Sequence, residues 1–266
     1  MNTHARWSRG LLVGSLLCFL SPLGAFSYYA FTQGNQTNQG GKEVRQNLDD
    51  DPRLQEYEKP GVRFDMLVRE DFFAGMFGDN ARLDRGMQFC EKVLAKHPQH
   101  AEALVWHGGG LLSKAAQAYE KGGSALGDQL FQRGLKEMDD AKRFEPENMG
   151  VRIGRAATLI GISQSGFDPA DRQARELLES AALDYAQVLA WHGPRFATLG
   201  MHSRGELLFG LASAWSMLGN ETKTRAYLQR ITVDCRGSSY EQEARSFLDQ
   251  KRMPVVKHDC QGCHVH

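Results

Sequence analysis

The sequence has no excess of charge of either sign, few cysteines, and no run that alternates as a strand does. Lys and Arg number 32 and so do Asp and Glu, so the chain lacks the basic excess typical of nucleic-acid-binding proteins. Five cysteines in 266 residues are too few for a disulfide-stapled scaffold. Apolar residues recur instead at helical spacing. The sequence therefore predicts an all-α protein and does not predict nucleic acid as a partner.

The N-terminal segment has the form of a secretory signal peptide. Two arginines precede an apolar run at 11–20, and Ala25-Phe26-Ser27 has the small-x-small pattern of a cleavage site. These features predict a signal peptide over 1–27. The alternative is an uncleaved anchor, because 11–31 carries no charge and exceeds the about 20 residues that span a bilayer. Either way we expect an exported protein, periplasmic or membrane-anchored facing the periplasm.

The rest of the chain divides into three parts by composition. Residues 28–60 contain an amide-rich, uncharged stretch and several helix breakers, which predicts a flexible linker. Residues 61–250 have the apolar periodicity of a helical domain. Residues 251–266 form a short tail. The linker is assigned no chemistry, so candidate functions belong to the domain and the tail.

Helical spacing predicts nine helices within the domain. Two prolines, Pro98 and Pro146, are expected to end the second and fourth of them, because the residue before a proline resists the helical region. The predicted helices lie at 62–77, 83–96, 101–118, 128–144, 148–160, 169–190, 203–218, 221–233 and 240–248.

An internal period relates these helices. Gly86 precedes Pro98 by twelve residues, and Gly134 precedes Pro146 by the same interval. These segments resemble tetratricopeptide repeats, a family of helical hairpins with small residues where the helices cross and a proline closing each hairpin. The matching positions are Ala74, Gly86, Val93, Gly108, Gly134 and Ala141, and later Leu208, Leu211, Ala212, Trp215, Gly219, Asn220, Leu228 and Ile231. The resemblance implies a superhelix whose concave face holds a protein partner, and it does not imply an enzyme.

The tail carries the most specific motif in the chain. Cys260, Cys263 and the adjacent His264 have the spacing of a c-type haem attachment site. The two thiols can form thioethers with the haem vinyl groups, and His264 can ligate the iron from one side. The motif predicts one covalent haem c, used for electron transfer or redox sensing with a docked partner. Since two residues follow the motif here, we expect its surroundings to come from the preceding chain or from the partner.

The alternative function is a non-enzymatic periplasmic adaptor whose tail binds zinc or is inactive. His258 and His266 add nitrogen donors to the two thiols and His264, enough for a tetrahedral ion. Against zinc, the adjacent side chains of Cys263 and His264 point apart. A bare redox-active thiol pair is disfavoured, because no thioredoxin-like βαβ pattern accompanies it.

The sequence does not determine the second axial ligand of such a haem. An open coordination site is one possibility. The candidate side chains are Met253, His258 and His266 in the tail, and His107, His192 and His202 in the domain. Each of the three domain histidines is also expected as an ordinary surface or capping residue.

Three further features have structural interpretations. Cys90 is expected as a small buried residue, and a disulfide from Cys90 to Cys235 is possible in an oxidising compartment. The glycine-rich stretch 106–110 is interpreted as helix-crossing positions, because no strand precedes it as in a phosphate-binding loop. Arg152, Arg155 and Arg204, with the acidic run 137–140, are interpreted as solvated helix surface, and alternatively as the lining of a concave face.

Overall fold

The computed structural model describes residues 51–164 and 171–250, and this part of the chain contains helices and no strand. The all-α prediction is therefore confirmed. The helices are α1 (Arg53–Glu56), α2 (Phe64–Met76), α3 (Asn80–Lys96), α4 (Ala101–Glu120), α5 (Ser124–Phe144), α6 (Met149–Gln164), α7 (Arg172–His192), a 3-10 helix (Gly193–Thr198), α8 (Met201–Met217), α9 (Glu221–Asp234) and α10 (Ser239–Gln250).

All nine predicted helices are present, and local chemistry explains their ends. Helix α3 ends at Lys96, two positions before Pro98, and helix α5 ends at Phe144, two positions before Pro146. Both helices therefore end where the prolines predicted. Helix α7 begins after Asp171, whose carboxylate accepts hydrogen bonds from the backbone N–H groups of Gln173 and Ala174. Asn220 caps α9 in the same way, accepting from the backbone N–H of Lys223.

Several elements differ from the prediction: α3 begins at Asn80 rather than 83, α6 ends at Gln164 rather than 160, and the 3-10 helix was not predicted. Helix α5 begins at Ser124 rather than 128, because only Gly122, with a φ of 79°, is needed to reverse the chain. Helix α1 lies within the stretch assigned to the linker, and Arg53 on it donates to the Asp71 carboxylate of α2 at 3.0 Å. The folded domain thus starts before residue 61.

The helices pack as consecutive pairs. Contacts join α2 to α3, α4 to α5, α6 to α7 and α8 to α9, and α10 packs on α9. The first helices of successive pairs, α2, α4, α6 and α8, also contact one another in turn. Tyr119 near the end of α4 donates to Asp128 near the start of α5, whereas Gly108 faces Gly134 further along, so this pair is antiparallel.

Small residues allow the helix pairs to approach closely, as the sequence predicted. A Cβ added at Gly108 would lie 2.8 Å from the carbonyl oxygen of Gly134, and a Cβ at Gly134 would lie 2.8 Å from that of Gly108. Side chains at this crossing would separate the two backbones. The crossing positions Gly86 and Ala141 are likewise buried.

The later pairs use glycine differently. A Cβ at Gly210 of α8 would lie 2.6 Å from the Tyr185 ring, and one at Gly205 would lie 2.5 Å from the Tyr240 ring. Here glycine makes room for an aromatic side chain from α7 or α10 rather than for another backbone. Tyrosine rings thereby fill the space between helices, and their hydroxyls remain available for hydrogen bonds.

Cys90 and Cys235 are free thiols in separate clusters of the core. Cys90 lies with α2 and α3, and Cys235 lies with α8 and α9. The possible disulfide between them is therefore wrong, and the expectation of a buried Cys90 is confirmed. Burial raises the pKa of both thiols, so neither is an activated nucleophile.

Across 51–164 and 171–250, none of the helices combines the length and apolar character required to cross a bilayer. The apolar run of the predicted signal or anchor segment, 11–31, lies outside these ranges.

Candidate functional site

The predicted haem-attachment residues Cys260, Cys263 and His264 lie outside the described residues. The same holds for the alternative zinc ligands His258 and His266, for the candidate axial ligand Met253 and for the predicted signal peptide. The last described element, α10, ends at Gln250, ten positions before Cys260. The described residues therefore show the helical domain that precedes the tail, and the proposed site itself lies outside them.

The interpretation of Arg152 and Arg155 as solvated surface is wrong. Arg155 is buried on α6 and donates to Asp184 of α7 at 2.5 Å and to Asp139 of α5 at 2.7 Å. Asp184 is fully buried and also accepts from Arg152 at 2.8 Å, with Lys142 at 3.1 Å. We call these groups the Asp184 cluster. Three cations on two helices surround one carboxylate, so the cluster joins α5, α6 and α7.

Arg204 takes no part in this cluster. It lies on α8, half-buried, and its guanidinium contacts the Met201 sulfur at 3.9 Å. The three arginines that the sequence grouped together therefore do not share a surface.

A second buried carboxylate lies near the start of the domain. Asp71 of α2 is 3% exposed and accepts from Arg53 at 3.0 Å, Arg82 at 3.2 Å and Arg85 at 2.9 Å. We call these four residues the Asp71 cluster. Burial acts to raise the pKa of the Asp71 carboxyl, but hydrogen bonds and charge from the arginines outweigh burial and hold this pKa below its ordinary value.

His107 is neither a surface nor a capping residue. It is fully buried on α4, with Nδ1 2.5 Å from Glu137 of α5 and Nε2 3.3 Å from Glu91 of α3. Because both ring nitrogens are engaged by carboxylates inside the domain, His107 is not placed to ligate an iron on the tail. It ties α4 to the helices on either side, and the flanking stretch 106–110 forms crossing positions as predicted.

His202 occupies a different setting at the surface of the last helices. The Tyr240 hydroxyl of α10 donates to Glu206 of α8 at 2.7 Å and lies 2.8 Å from Nδ1 of His202. The Tyr240 ring fits against Gly205, which fixes the hydroxyl in place. We call His202, Tyr240 and Glu206 the His202 triad. His202 is exposed, so its ring is oriented by neighbours while it remains at the surface.

Two more histidines, His97 and His100, flank the turn between α3 and α4. This turn lines a shallow cleft of about 480 Å³, and His100 also lines a second cleft of about 430 Å³. His100 Nδ1 accepts from the backbone N–H of Ala103, so His100 is a helix cap. Burial lowers the pKa of His100 and raises the pKa of Glu102 beside it.

Within the described ranges, no three or more His, Cys, Asp and Glu side chains converge as a metal site would require. The sequence could not have located the Asp184 cluster or the His202 triad. Asp184 lies 29 to 42 positions from its three cations, and Tyr240 lies 34 and 38 positions from Glu206 and His202. Only the packing of whole helices against one another brings them together.

Comparison of the chain with family models, with curated proteins and with solved structures finds no match in any of the three.

Proposed function

We propose that this chain is an exported helical-repeat scaffold of the tetratricopeptide type that carries one covalent haem c on the segment after α10. The observation that carries the proposal is the attachment sequence, in which two residues separate Cys260 from Cys263 and His264 follows directly. When bound, such a haem supplies one-electron chemistry at the iron.

The donors present fit a haem better than they fit zinc. Two thiols and a neighbouring imidazole are the groups that c-type attachment uses. The thiols of the helical domain, Cys90 and Cys235, are buried, and burial raises their pKa values. A zinc ion would have to draw its ligands from the tail, because the described helices bring no set of three donors together. Cys263 and His264 are adjacent, which makes a closed tetrahedral site harder to form from that tail.

The role of the domain is to hold a partner. Consecutive helix pairs with glycine at their crossings, and first helices that contact in series, support a repeat scaffold. The partner is expected to be a protein that docks on the helices and exchanges electrons with the haem. Cys260 and Cys263 hold the haem in this proposal, and His264 is its proximal iron ligand.

The test is a pyridine haemochrome spectrum and an intact mass of the full chain made with haem c maturation machinery. We expect a c-type α-band and a mass increase of one haem. Replacing Cys260 and Cys263 together with serine should abolish both, whereas the matched control His266→Ala should retain them. A wild-type chain with no α-band and one bound zinc per chain would instead establish the adaptor.

Export is tested separately by sequencing the N-terminus of the mature protein. Cleavage after Ser27 is expected. An uncleaved N-terminus in the membrane fraction would indicate the anchor, and an uncleaved protein in the cytoplasm would contradict export.

A further inference from the structure

The cleft of about 430 Å³ beside His100 lies where three connections of the domain meet. They are the segment between α1 and α2, the turn that leads into α4, and the turn between α5 and α6. The cleft is large enough to receive one amino-acid side chain of a partner. We call it the Glu102 cleft, after a half-buried carboxylate that lines it.

One amide group holds two carboxylates of this cleft side by side. Asn148 Nδ2 donates to Glu102 Oε1 at 3.3 Å and to Glu145 Oε2 at 2.7 Å. The Asn148 Oδ1 accepts from the backbone N–H of Val151, so the first turn of α6 fixes the amide in place. Within the described part of the chain, the second oxygen of each carboxylate has no hydrogen-bond partner. Both carboxylates therefore keep an acceptor for a ligand.

The negative charge of these carboxylates is not balanced among the described residues that line the cleft. Arg63 is the one arginine or lysine among them, and it donates to both carboxylate oxygens of Asp65, at 3.0 and 2.6 Å. Burial lowers the pKa of His100, which favours its neutral ring. Burial also raises the pKa of Glu102, and the charges of Asp65 and Glu145 raise it further. A cation that entered the cleft would relieve this repulsion.

Aromatic rings line the same cleft. The centroid of the His100 ring lies 4.8 Å from that of Phe64 and 6.2 Å from that of Tyr57. Tyr57 and His100 are half-buried, so part of each ring remains accessible. Aromatic rings attract cations and also pack against the aliphatic part of a long charged side chain. Two carboxylates beside such rings favour an organic cation.

We propose that the Glu102 cleft receives an arginine side chain of the protein partner, with its guanidinium between the Glu102 and Glu145 carboxylates. The proposal rests on the proposed function, because it identifies one contact of the partner that the scaffold is proposed to hold. A guanidinium presents five N–H donors in a planar fork and can bridge two neighbouring carboxylates, whereas a lysine ammonium is a compact point charge. The aliphatic part of the arginine packs on Tyr57 and His100.

The experiment measures binding of a probe peptide to the full chain by NMR of isotope-labelled histidine. The probe is an acetylated and amidated Ala-Arg-Ala peptide. Its matched control contains citrulline, which has nearly the shape of arginine without the charge. The arginine peptide should shift the ring signals of His100 and leave those of His192 unchanged. It should bind about tenfold more tightly than the citrulline peptide.

Three variants locate the binding. Glu102→Gln removes the charge and keeps an oxygen to which Asn148 can donate, and it should weaken binding of the arginine peptide about tenfold. Glu145→Gln changes a more exposed carboxylate and should weaken binding about threefold. The matched control Glu147→Gln removes the same charge from the same turn but outside the cleft, and it should leave the affinity unchanged.

The stability of Glu102→Gln separates a lost site from a lost fold. Because the folded pKa of Glu102 is raised, its charge opposes folding at pH 7, where the group is ionised in the unfolded chain. The variant should therefore unfold at the same urea concentration as the wild type or at a higher one. A residue needed only for the fold would give a lower one.

The outcomes of these measurements distinguish the inference from the proposed function. Equal affinity for the two peptides would overturn the inference, and so would a Glu102→Gln variant that binds as tightly as the wild type. If ethylguanidinium alone binds as tightly as the arginine peptide, the cleft takes a free guanidine compound, and the inference is also overturned. A haemochrome spectrum of the same samples tests the proposed function. Its α-band does not depend on the cleft, and peptide binding does not depend on the haem.

Discussion

The Asp184 and Asp71 clusters place the same kind of group, a buried aspartate among three cations, in two different surroundings. At Asp184 the side chains of the partners Arg155, Arg152 and Lys142 are 7%, 14% and 33% exposed. At Asp71 the partners Arg53, Arg82 and Arg85 are 19%, 36% and 51% exposed. The cations at Asp71 can turn towards water, whereas Arg155 cannot.

The burial of an aspartate does not by itself determine how much its removal lowers the free energy of unfolding. Both carboxylates are almost fully buried, but removing one of them leaves very different groups behind. A cation that loses its partner while buried pays the full desolvation penalty, and one at the surface is solvated instead. We therefore expect the two clusters to respond unequally to the same substitution.

The largest effect is expected from Asp184→Ala. It leaves Arg155 buried without its shortest ion pair, which should lower the free energy of unfolding by about 3–5 kcal/mol. Urea denaturation of the full chain measures the change. The matched control is Asp139→Ala, which removes the exposed second partner of Arg155 and should cost about 1 kcal/mol or less. Equal losses in the two variants would contradict the role assigned to burial.

A smaller effect is expected from Asp71→Asn, with a characteristic dependence on pH. Because the folded pKa of Asp71 is lowered, its charge stabilises the fold above the unfolded pKa of about 3.9, and this stabilisation is lost as the pH falls through the folded pKa. The variant should lose about 1.5–3 kcal/mol at pH 7. Denaturation curves should show the difference from the wild type shrinking below about pH 4. A difference that stays constant down to pH 2.5 would show that the charge of Asp71 is not responsible.

The smallest effect is expected from Arg85→Ala. Arg85 is half-exposed, and Arg53 and Arg82 still pair with Asp71 in its absence. The free energy of unfolding should fall by about 0.2–1 kcal/mol, and less at high salt. The same measurement on Arg155→Ala should give a loss several times larger. If the two losses were similar, the contrast between the clusters would not hold.

The sequence predicted the helices well because their signals are local. Pro98 and Pro146 mark helix ends, apolar spacing marks each buried face, and Gly108 and Gly134 mark a close crossing. Helix α1 was missed because four residues are too few to show a period. Local patterns thus predicted elements and crossings, but only where the segment was long enough.

The sequence did not predict which polar groups meet. Arg155 has a spacing compatible with either a surface or a core position, and its partner Asp184 lies 29 positions away. His107 likewise meets Glu91 and Glu137 at separations of 16 and 30 positions. Pairing at such distances follows from the packing of whole helices, which no local pattern contains. The attachment motif in the tail differs from these pairs, because its three residues lie within five positions and a local pattern is enough to predict its chemistry. The haem that it would hold stays a prediction.

The central position of helix α4 affects the order in which the domain unfolds. It contacts α2, α3, α5 and α6, and His107 with its neighbouring glycines draws these helices close around it. The helix pairs contact one another in series, so partial unfolding should begin at the pair whose separation exposes the least core. Separating α4 from its surroundings would expose core on several sides at once. Partly open states should therefore begin at the first or last helices of this series, with α4 as the part that remains folded longest.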